Sequence, residues 1–426
     1  MTRNSKWLAG AWLVVALLWT VGCLNYLDRV MLTTMRGSVK EAIPMTDAQF
    51  GLLTSIFLWV YGGLSPFAGF LADRLGRSRV IIAGMLAWTA ITWLTGHSTT
   101  FHGLLTARAV MGISEAFFLP AALALVADYH PGPTRSLATG ILISGTTVGA
   151  GLGGLGGWLA EHHGWNYSYY LLSGLGVACS VLLVLVLRDA PRLPDKVSAP
   201  GVRFGDALSS LFSRGSFIVA LVYWGLLGLA GWALIGWMPT YFNEHFHLAQ
   251  GVAGLSATGY LQAAVLVGLP LGGALADRWN RTNPRGRILV PVIGLCVAAP
   301  GLLLAANTNI VALALAGLVL YGLARASTDA NMMPIICLVT DSRYRATGYG
   351  VLNCFACIVG GLAIYAGGVL RDAHFAGLNR VFQIASVSLV LCAGLLLLVK
   401  PSAMPGLAVE TGSLEPPISP AAPLIE

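Results

Sequence analysis

Long apolar runs alternate with short polar breaks along almost the whole chain. Runs of spanning length fall at about 10–34, 48–72, 79–96, 101–127, 136–160, 168–187, 216–242, 252–276, 287–306, 310–338, 345–370 and 380–399. Roughly twenty apolar residues, rising about 1.5 Å each in a helix, cross a hydrocarbon layer about 30 Å thick, so each run predicts one transmembrane helix. The longest break, 188–215, sets Arg188, Arg192, Lys196, Arg203 and Arg214 among Pro and Asp residues and divides the twelve spans six and six. The pattern predicts one bundle over 1–190, a linker over 191–215 and a second bundle over 216–400. A tail over 401–426, with Pro416, Pro417, Pro420 and Pro423 and little hydrophobic patterning, is expected to be disordered. The first run, behind Arg3 and Lys6, is too long for the core of a cleavable signal and lacks a clear cleavage site, so it reads as the first span.

Composition agrees: 56% of residues are hydrophobic and 10% charged, where soluble domains average about 25% charged. The fold class is all-α, polytopic in the membrane. A net charge of +7 is no nucleic-acid footprint here, because the basic residues are dispersed among short loops. They report orientation. With both termini on one side, that side holds 18 of the 25 Lys and Arg, the other holds Arg36, Lys40, Arg371 and Arg380, and three lie within spans. The excess predicts cytoplasmic termini. The 52 glycines suit close helix approach in lipid. All seven cysteines fall in apolar segments and read as free thiols, Cys354 and Cys357 as small packing residues rather than metal ligands.

Six charges stand inside spans: Arg29, Arg108 and Arg325, with Asp28, Glu115 and Asp329. A charge facing lipid costs several kcal/mol, so these side chains are expected to face the bundle interior or a watery cavity. Equal numbers of each sign predict mutually neutralised sites. Arg108 and Glu115 are seven residues apart, close to two turns, and share a helix face about 10 Å apart along the axis. Asp28 and Arg29 lie about 100° apart around theirs, with Asn25 and Tyr26 three residues before them. An arginine fork beside a phenol and an amide can hold a carboxylate and hydroxyls. Burial favours a protonated carboxyl and a nearby arginine an ionised one. An anionic substrate that takes over an arginine therefore leaves Glu115 easier to protonate, which couples anion to proton. Arg325 and Asp329, four residues apart, either neutralise each other or offer a second anion contact.

An internal repeat supports the division. Gly69-Phe70-Leu71-Ala72-Asp73-Arg74-Leu75-Gly76-Arg77 follows the second span and Gly273-Ala274-Leu275-Ala276-Asp277-Arg278-Trp279-Asn280-Arg281 the eighth, their aspartates 204 positions apart. Each sets an acid beside a basic turn, able to pin neighbouring helix ends in one conformation. Both resemble the loop signature of the major facilitator superfamily, the second with Asn280 where glycine is usual. The resemblance covers nearly the whole chain and implies two pseudo-symmetric six-helix bundles around a midplane site. It also implies conformational gating by Gly69, Asp73, Arg74, Arg77, Asp277, Arg278 and Arg281.

Within that superfamily, five features look like the anion:cation symporter branch, which moves sugar acids and other organic anions with protons. They are Asn25-Tyr26-Leu27-Asp28-Arg29, Tyr61, the run from Arg108 to Glu115, Trp237-Met238-Pro239-Thr240-Tyr241, and Gly350-Val351-Leu352-Asn353 with Gly360-Gly361. Spinster-like lipid transporters share an Asn-Tyr-x-Asp-Arg run and an Arg-x-x-x-Gly-x-x-Glu run and are the second resemblance. The symporter likeness implies proton handling at Asp28 and Glu115 and substrate contact at Tyr26, Arg29, Tyr61 and Asn353. Arg108, beside the proton site, and Arg325 complete the expected substrate-binding set. The run Gly145 to Gly154 resembles an antiporter-associated motif with Ala150 in place of its proline, and close packing is its expected use.

An enzyme is not expected, since the chain has no His-Glu-x-x-His, no Gly-x-Ser-x-Gly and no phosphate-cradling loop. Paired charges in duplicated halves fit alternating access better than a channel, and no stretch reads as a sensor's soluble output domain. The histidine pairs His162-His163 and His245-x-His247 read as solvated loop residues. The sequence reading is thus a secondary active transporter in a cytoplasmic (inner) membrane: proton-coupled import of a small organic anion such as a hexuronate or aldonate. A monomer is expected, with no metal and no cofactor beyond the proton gradient. The alternative is a Spinster-like exporter of lysolipids or other amphiphiles, or a multidrug exporter.

Overall fold

The computed structural model describes residues 3–130, 134–189, 204–283, 285–340, 344–374 and 377–399; within these, the side chains of 3–9, 69–74 and 346 are not described. The expected tail over 401–426 and most of the expected linker lie outside the described residues. Among the described residues the structure is helical, without strands. Twelve segments are long and apolar enough to cross a membrane, each within a few residues of its expected run.

Nine spans are single helices: α1 (Arg3–Thr34), α3 (Asp47–Leu75), α4 (Arg77–Gly96), α9 (Trp165–Val186), α11 (Gly215–His245), α12 (Gln250–Asn280), α13 (Gly286–Asn307), α16 (Arg345–Asp372) and α17 (Leu378–Leu398). Three are broken: the fourth into α5 (Phe101–Ala116) and α6 (Phe118–Tyr129), the fifth into α7 (Arg135–Leu152) and α8 (Leu155–His163), and the tenth into α14 (Val311–Ala330) and α15 (Met332–Val339). Two short helices, α2 (Arg36–Ala42) and α10 (Phe204–Phe212), lie between spans. Thr46 starts α3 with a capping box, its hydroxyl accepting from the Gln49 amide while the Gln49 side chain accepts from the Thr46 amide. Gly76, at φ 89°, makes the tight turn from α3 into α4, a conformation that side chains with a Cβ resist.

Spans 1–6 and 7–12 form two bundles, which meet along two seams. The broader pairs α3 with α16, antiparallel over nearly their full length. Ser55 Oγ donates to the Gly361 carbonyl at 2.6 Å, Trp59 Nε1 to Ile358 at 3.2 Å, and Asn353 Nδ2 to Ser65 Oγ at 3.0 Å. The second seam sets α7 and α8 against α12, where Thr258 Oγ1 donates to the Gly151 carbonyl at 3.0 Å. Side-chain hydrogen bonds recur across these seams because helices in lipid gain nothing from burying apolar surface against each other and rely on packing and polar contacts.

Candidate transport site

The centre of the site is an ion pair between α1 and α5. Arg29 Nη2 donates to Glu115 Oε2 at 2.6 Å, with 4% and 1% of the two side chains exposed. Taking both charges out of water costs several kcal/mol each, so the pair stands only because each ion compensates the other. It is incompletely satisfied: Arg29 Nε and Glu115 Oε1 are buried without partners. Rings wall the guanidinium, whose Cζ lies 4.3, 4.8 and 4.5 Å from the ring centroids of Tyr26, Phe57 and Tyr61. Phe57 lies on the buried face of α3 and also meets Arg108, 4.8 Å from its Cζ, so one ring separates two cations.

Asp28 turns to the other facet of α1 and is fully buried; its Oδ2 accepts from Trp88 Nε1 of α4 at 3.0 Å. Arg108 is fully buried too, and one of its nitrogens is 3.3 Å from Met111 Sδ. Asp28 Oδ1, Arg108 Nε and Nη2 and Tyr169 Oη are all buried without partners. Four such atoms in one neighbourhood concentrate unmet hydrogen-bonding capacity, and buried polar groups left unpaired cost about 1–3 kcal/mol each.

The second bundle holds Arg325 and Asp329 on α14, Nη1 to Oδ2 3.2 Å. Of the phenols between the two pairs, Tyr26 and Tyr61 lie against Arg29. The six intramembrane charges do resolve into neutral neighbourhoods, although Glu115 turns to Arg29 on another helix rather than to Arg108 on its own. Of the expected contacts, Tyr26, Arg29, Tyr61, Arg108, Asp28 and Glu115 come together. Asn353 is engaged with Ser65 in the seam, and Arg325 stands in the opposite bundle.

The repeated loop motifs lie away from this cluster. Arg77 donates to the Asp128 carboxylate and to the Ala124 carbonyl at 3.0 Å, tying the start of α4 to the end of α6. Asp277 accepts from Arg287 at 3.0 Å, while Arg278 and Arg281 are exposed. The side chains of Gly69, Asp73 and Arg74 lie outside the described ones.

A second charged cluster, at the opposite end of the spans, escaped the sequence reading. Asp47 at the start of α3 accepts from Arg36, from Lys40 Nζ at 2.5 Å and from Arg371 Nε at 2.7 Å. Glu244 on α11 accepts both remaining Arg371 nitrogens, at 2.8 and 2.9 Å, and Arg36 Nη1 at 3.1 Å. Asp372 caps α3 from across the seam, accepting from the Asp47 and Ala48 amides at 2.9 and 2.7 Å. Residues 36–48 and 244–372 belong to different bundles, so this latch closes the bundles at that end. In the sequence Arg36, Lys40 and Arg371 carry only an orientation signal; the further signal is three acids, Asp47, Glu244 and Asp372, at run ends on the poorly basic side. Asp47→Asn removes the shared counter-ion, and hydrogen bonds to charged groups are worth about 1.5–3 kcal/mol, so opening at this end should rise about tenfold. Maleimide labelling of Ser55→Cys, buried where its hydroxyl meets the Gly361 carbonyl across the seam, should rise with it; unchanged labelling would dissolve the latch.

Comparison with known proteins adds the family context. The profile described as Major Facilitator Superfamily matches residues 18–364. Protein spinster homolog 1 of Xenopus laevis is 26% identical over 322 residues, covering 70% of this chain and 61% of that protein. The chain thus spans about three fifths of the length of that relative. An MFS-type efflux pump of Mycolicibacterium smegmatis is 27% identical over 372 residues, 85% of each chain. A bacterial homolog to the human lysosomal transporter Spinster, in an inward-facing and occupied conformation, superposes with a TM-score of 0.74 at 22% identity, covering 91% of this chain and 96% of that one. The inward-facing, unoccupied form gives 0.72. These likenesses go to the Spinster-like proteins, the second of the two resemblances, and lend no support to the anion:cation symporter branch.

Proposed function

The chain belongs to the major facilitator superfamily, and from that premise we propose that it is a proton-coupled secondary transporter of amphiphiles with an anionic head. The observation that carries this reading is the buried Arg29–Glu115 pair, half satisfied and walled by Tyr26, Phe57 and Tyr61. An anionic head that takes Arg29 leaves Glu115 without its counter-ion in a dry setting, and Glu115 then takes a proton. Asp28, fully buried with one carboxylate oxygen unpartnered, stands next on the proton's route. The surroundings of Arg29 favour an apolar cargo body over a sugar: three rings offer stacking, and the Asn353 amide that hydroxyls would use is engaged with Ser65. The spinster and efflux names of the relatives support the same choice of cargo.

In this reading the bundles 1–190 and 216–400 rock about the site, joined by the linker 191–215, with both termini cytoplasmic in an inner membrane and the transporter a monomer. The Arg36–Asp47–Glu244–Arg371 latch holds one closed end, and the loops around Arg77 and Asp277 control the other. Sugar-acid import is the second reading, favoured by Arg325, which gives a small acid a second cation.

Proteoliposomes separate the two. Lysophosphatidylglycerol, hexuronate and aldonate would be offered with and without a proton gradient. Gradient-dependent movement of the lysolipid, with the sugar acids ignored, is expected. Gradient-driven accumulation of a sugar acid would replace this reading with the second.

A further inference from the structure

Two broken spans carry the same device. Span 4 reads Glu115-Ala116-Phe117-Phe118-Leu119-Pro120 at its break and span 10 reads Asp329-Ala330-Asn331-Met332-Met333-Pro334: acid, alanine, break residue, two apolar residues, proline, displaced by 214 positions throughout. At the first break the Phe117 amide turns back to the Glu115 carbonyl, and at the second the Asn331 amide turns back to the carbonyls of Thr328, at 3.2 Å, and Asp329. The cause is local. Proline lacks the N–H that would bond the carbonyl four residues earlier, at Ala116 or Ala330, so the helix cannot run straight through. Each acid is left on the last turn of its helix, where free carbonyls gather partial negative charge. It then depends on an arginine to stay ionised.

Glu115 has Arg29. Asp329 has Arg325, held by a single contact of 3.2 Å, with Arg325 Nε buried and unpartnered. The two side chains keep 22% and 25% of their surface exposed, so water reaches this pair as it does not reach the first. The titratable groups facing Asp329 are Arg325 and Tyr321 on its own helix, Tyr223 on α11 and Tyr349 on α16. Those tyrosines stay neutral, which leaves Arg325 as the one charge balancing it from these elements.

We propose that Asp329 is the second bundle's counterpart of Glu115: a proton-exchanging carboxylate, freed when the anionic head of the cargo moves onto Arg325. The inference rests on the proton-coupled reading above. Charge balances at each step. The Arg325–Asp329 pair is neutral; the anion replaces the carboxylate on the guanidinium, and the freed carboxylate takes one proton from water, leaving the site neutral again. One carboxylate in each bundle lets the head exchange a proton at each half-site as it passes, and gives each half-site its own release trigger.

Dicyclohexylcarbodiimide tests this without knowledge of the cargo, because it adds to protonated carboxyls in apolar settings and peptide mass spectrometry locates the adduct. In the purified full-length protein, Asp329 should be labelled in acid buffer and lose most of the adduct in alkaline buffer. Arg325→Ala should make that labelling insensitive to pH, and Asp329→Asn should abolish it while the Glu115 adduct persists. Labelled Glu115 with unlabelled Asp329 at every pH overturns the proposal and leaves the proton-coupled reading standing. No adduct on either carboxylate overturns the proposal as well, and leaves Glu115, paired and 1% exposed without cargo, to the transport test. The wild-type result carries the test even where a variant fails to fold.

Discussion

Replacement of Glu115 by glutamine should cut gradient-driven accumulation at least tenfold, while exchange of cargo across the membrane without a gradient falls far less. Glutamine keeps the shape of the side chain and can still accept from Arg29 through its amide oxygen, now at the position 2.6 Å from Nη2. It cannot take or release a proton. The variant therefore keeps a site for the anionic head and loses the exchange that links head to proton. A second effect follows from burial. Arg29 keeps its charge with no counter-ion, and removing one partner of a buried pair typically costs about 3–5 kcal/mol. The variant should melt several degrees lower and recover when an anionic cargo fills the gap. Arg29→Ala has the opposite signature: the bare carboxyl becomes neutral, stability suffers less, and anion binding is lost. Transport and thermal unfolding of the two variants check this together. Full accumulation by Glu115→Gln would remove Glu115 from the coupling.

Gly149→Ala should destabilise the fold by about 1–3 kcal/mol, the usual range for overpacking, and Gly149→Val by more. A Cβ at this position of α7 would meet the carbonyl oxygen of Cys23 at 2.1 Å and its carbonyl carbon at 2.8 Å. Both are backbone atoms of α1 and cannot rotate away, so the helices must part. Cys23 stands five residues, about a turn and a half, before Asp28, so parting the helices also shifts the charged facets of α1. Gly140, on the same helix with open space around it, is the control, since alanine there should leave unfolding unchanged or raise it slightly. Equal melting temperatures for Gly140→Ala and Gly149→Ala would show that the contact is slack. The run Gly145 to Gly154, whose likeness to an antiporter motif was inexact, serves close packing on two fronts. Gly145 and Gly149 admit α1, and Gly151 and Gly154 admit α12.

The candidate site was legible in part. Charge inside an apolar run is visible in one dimension, so Asp28, Arg29, Arg108, Glu115, Arg325 and Asp329 could be picked out, and their equal signs foretold neutral groupings. Tyr26 and Tyr61 came with the family resemblance and do wall Arg29. Phe57 did not, because a phenylalanine in an apolar run carries no signal until two guanidinium groups are seen against it. The latch was hidden for another reason. Arg36, Asp47, Glu244 and Arg371 sit where any spanning helix may carry charge, and their meeting depends on how two bundles close. The duplicated acid–proline element was legible all along as a displacement of 214 positions, but only the breaks at Phe117 and Asn331 show that it does anything to the helix.

The sequence by itself determined the twelve spans and their bounds, since spanning needs only enough apolar residues in a row to cover a bilayer's thickness. It determined too that the charges within them had to turn inward, because lipid cannot accept them. Which acid meets which arginine was decided by the tertiary structure alone. Arg108 and Glu115 share a helix face, yet Glu115 pairs with Arg29 on another helix. That choice depends on the rotation and register of one helix against the next, fixed by contacts such as Gly149 on Cys23 that no property of a single helix contains.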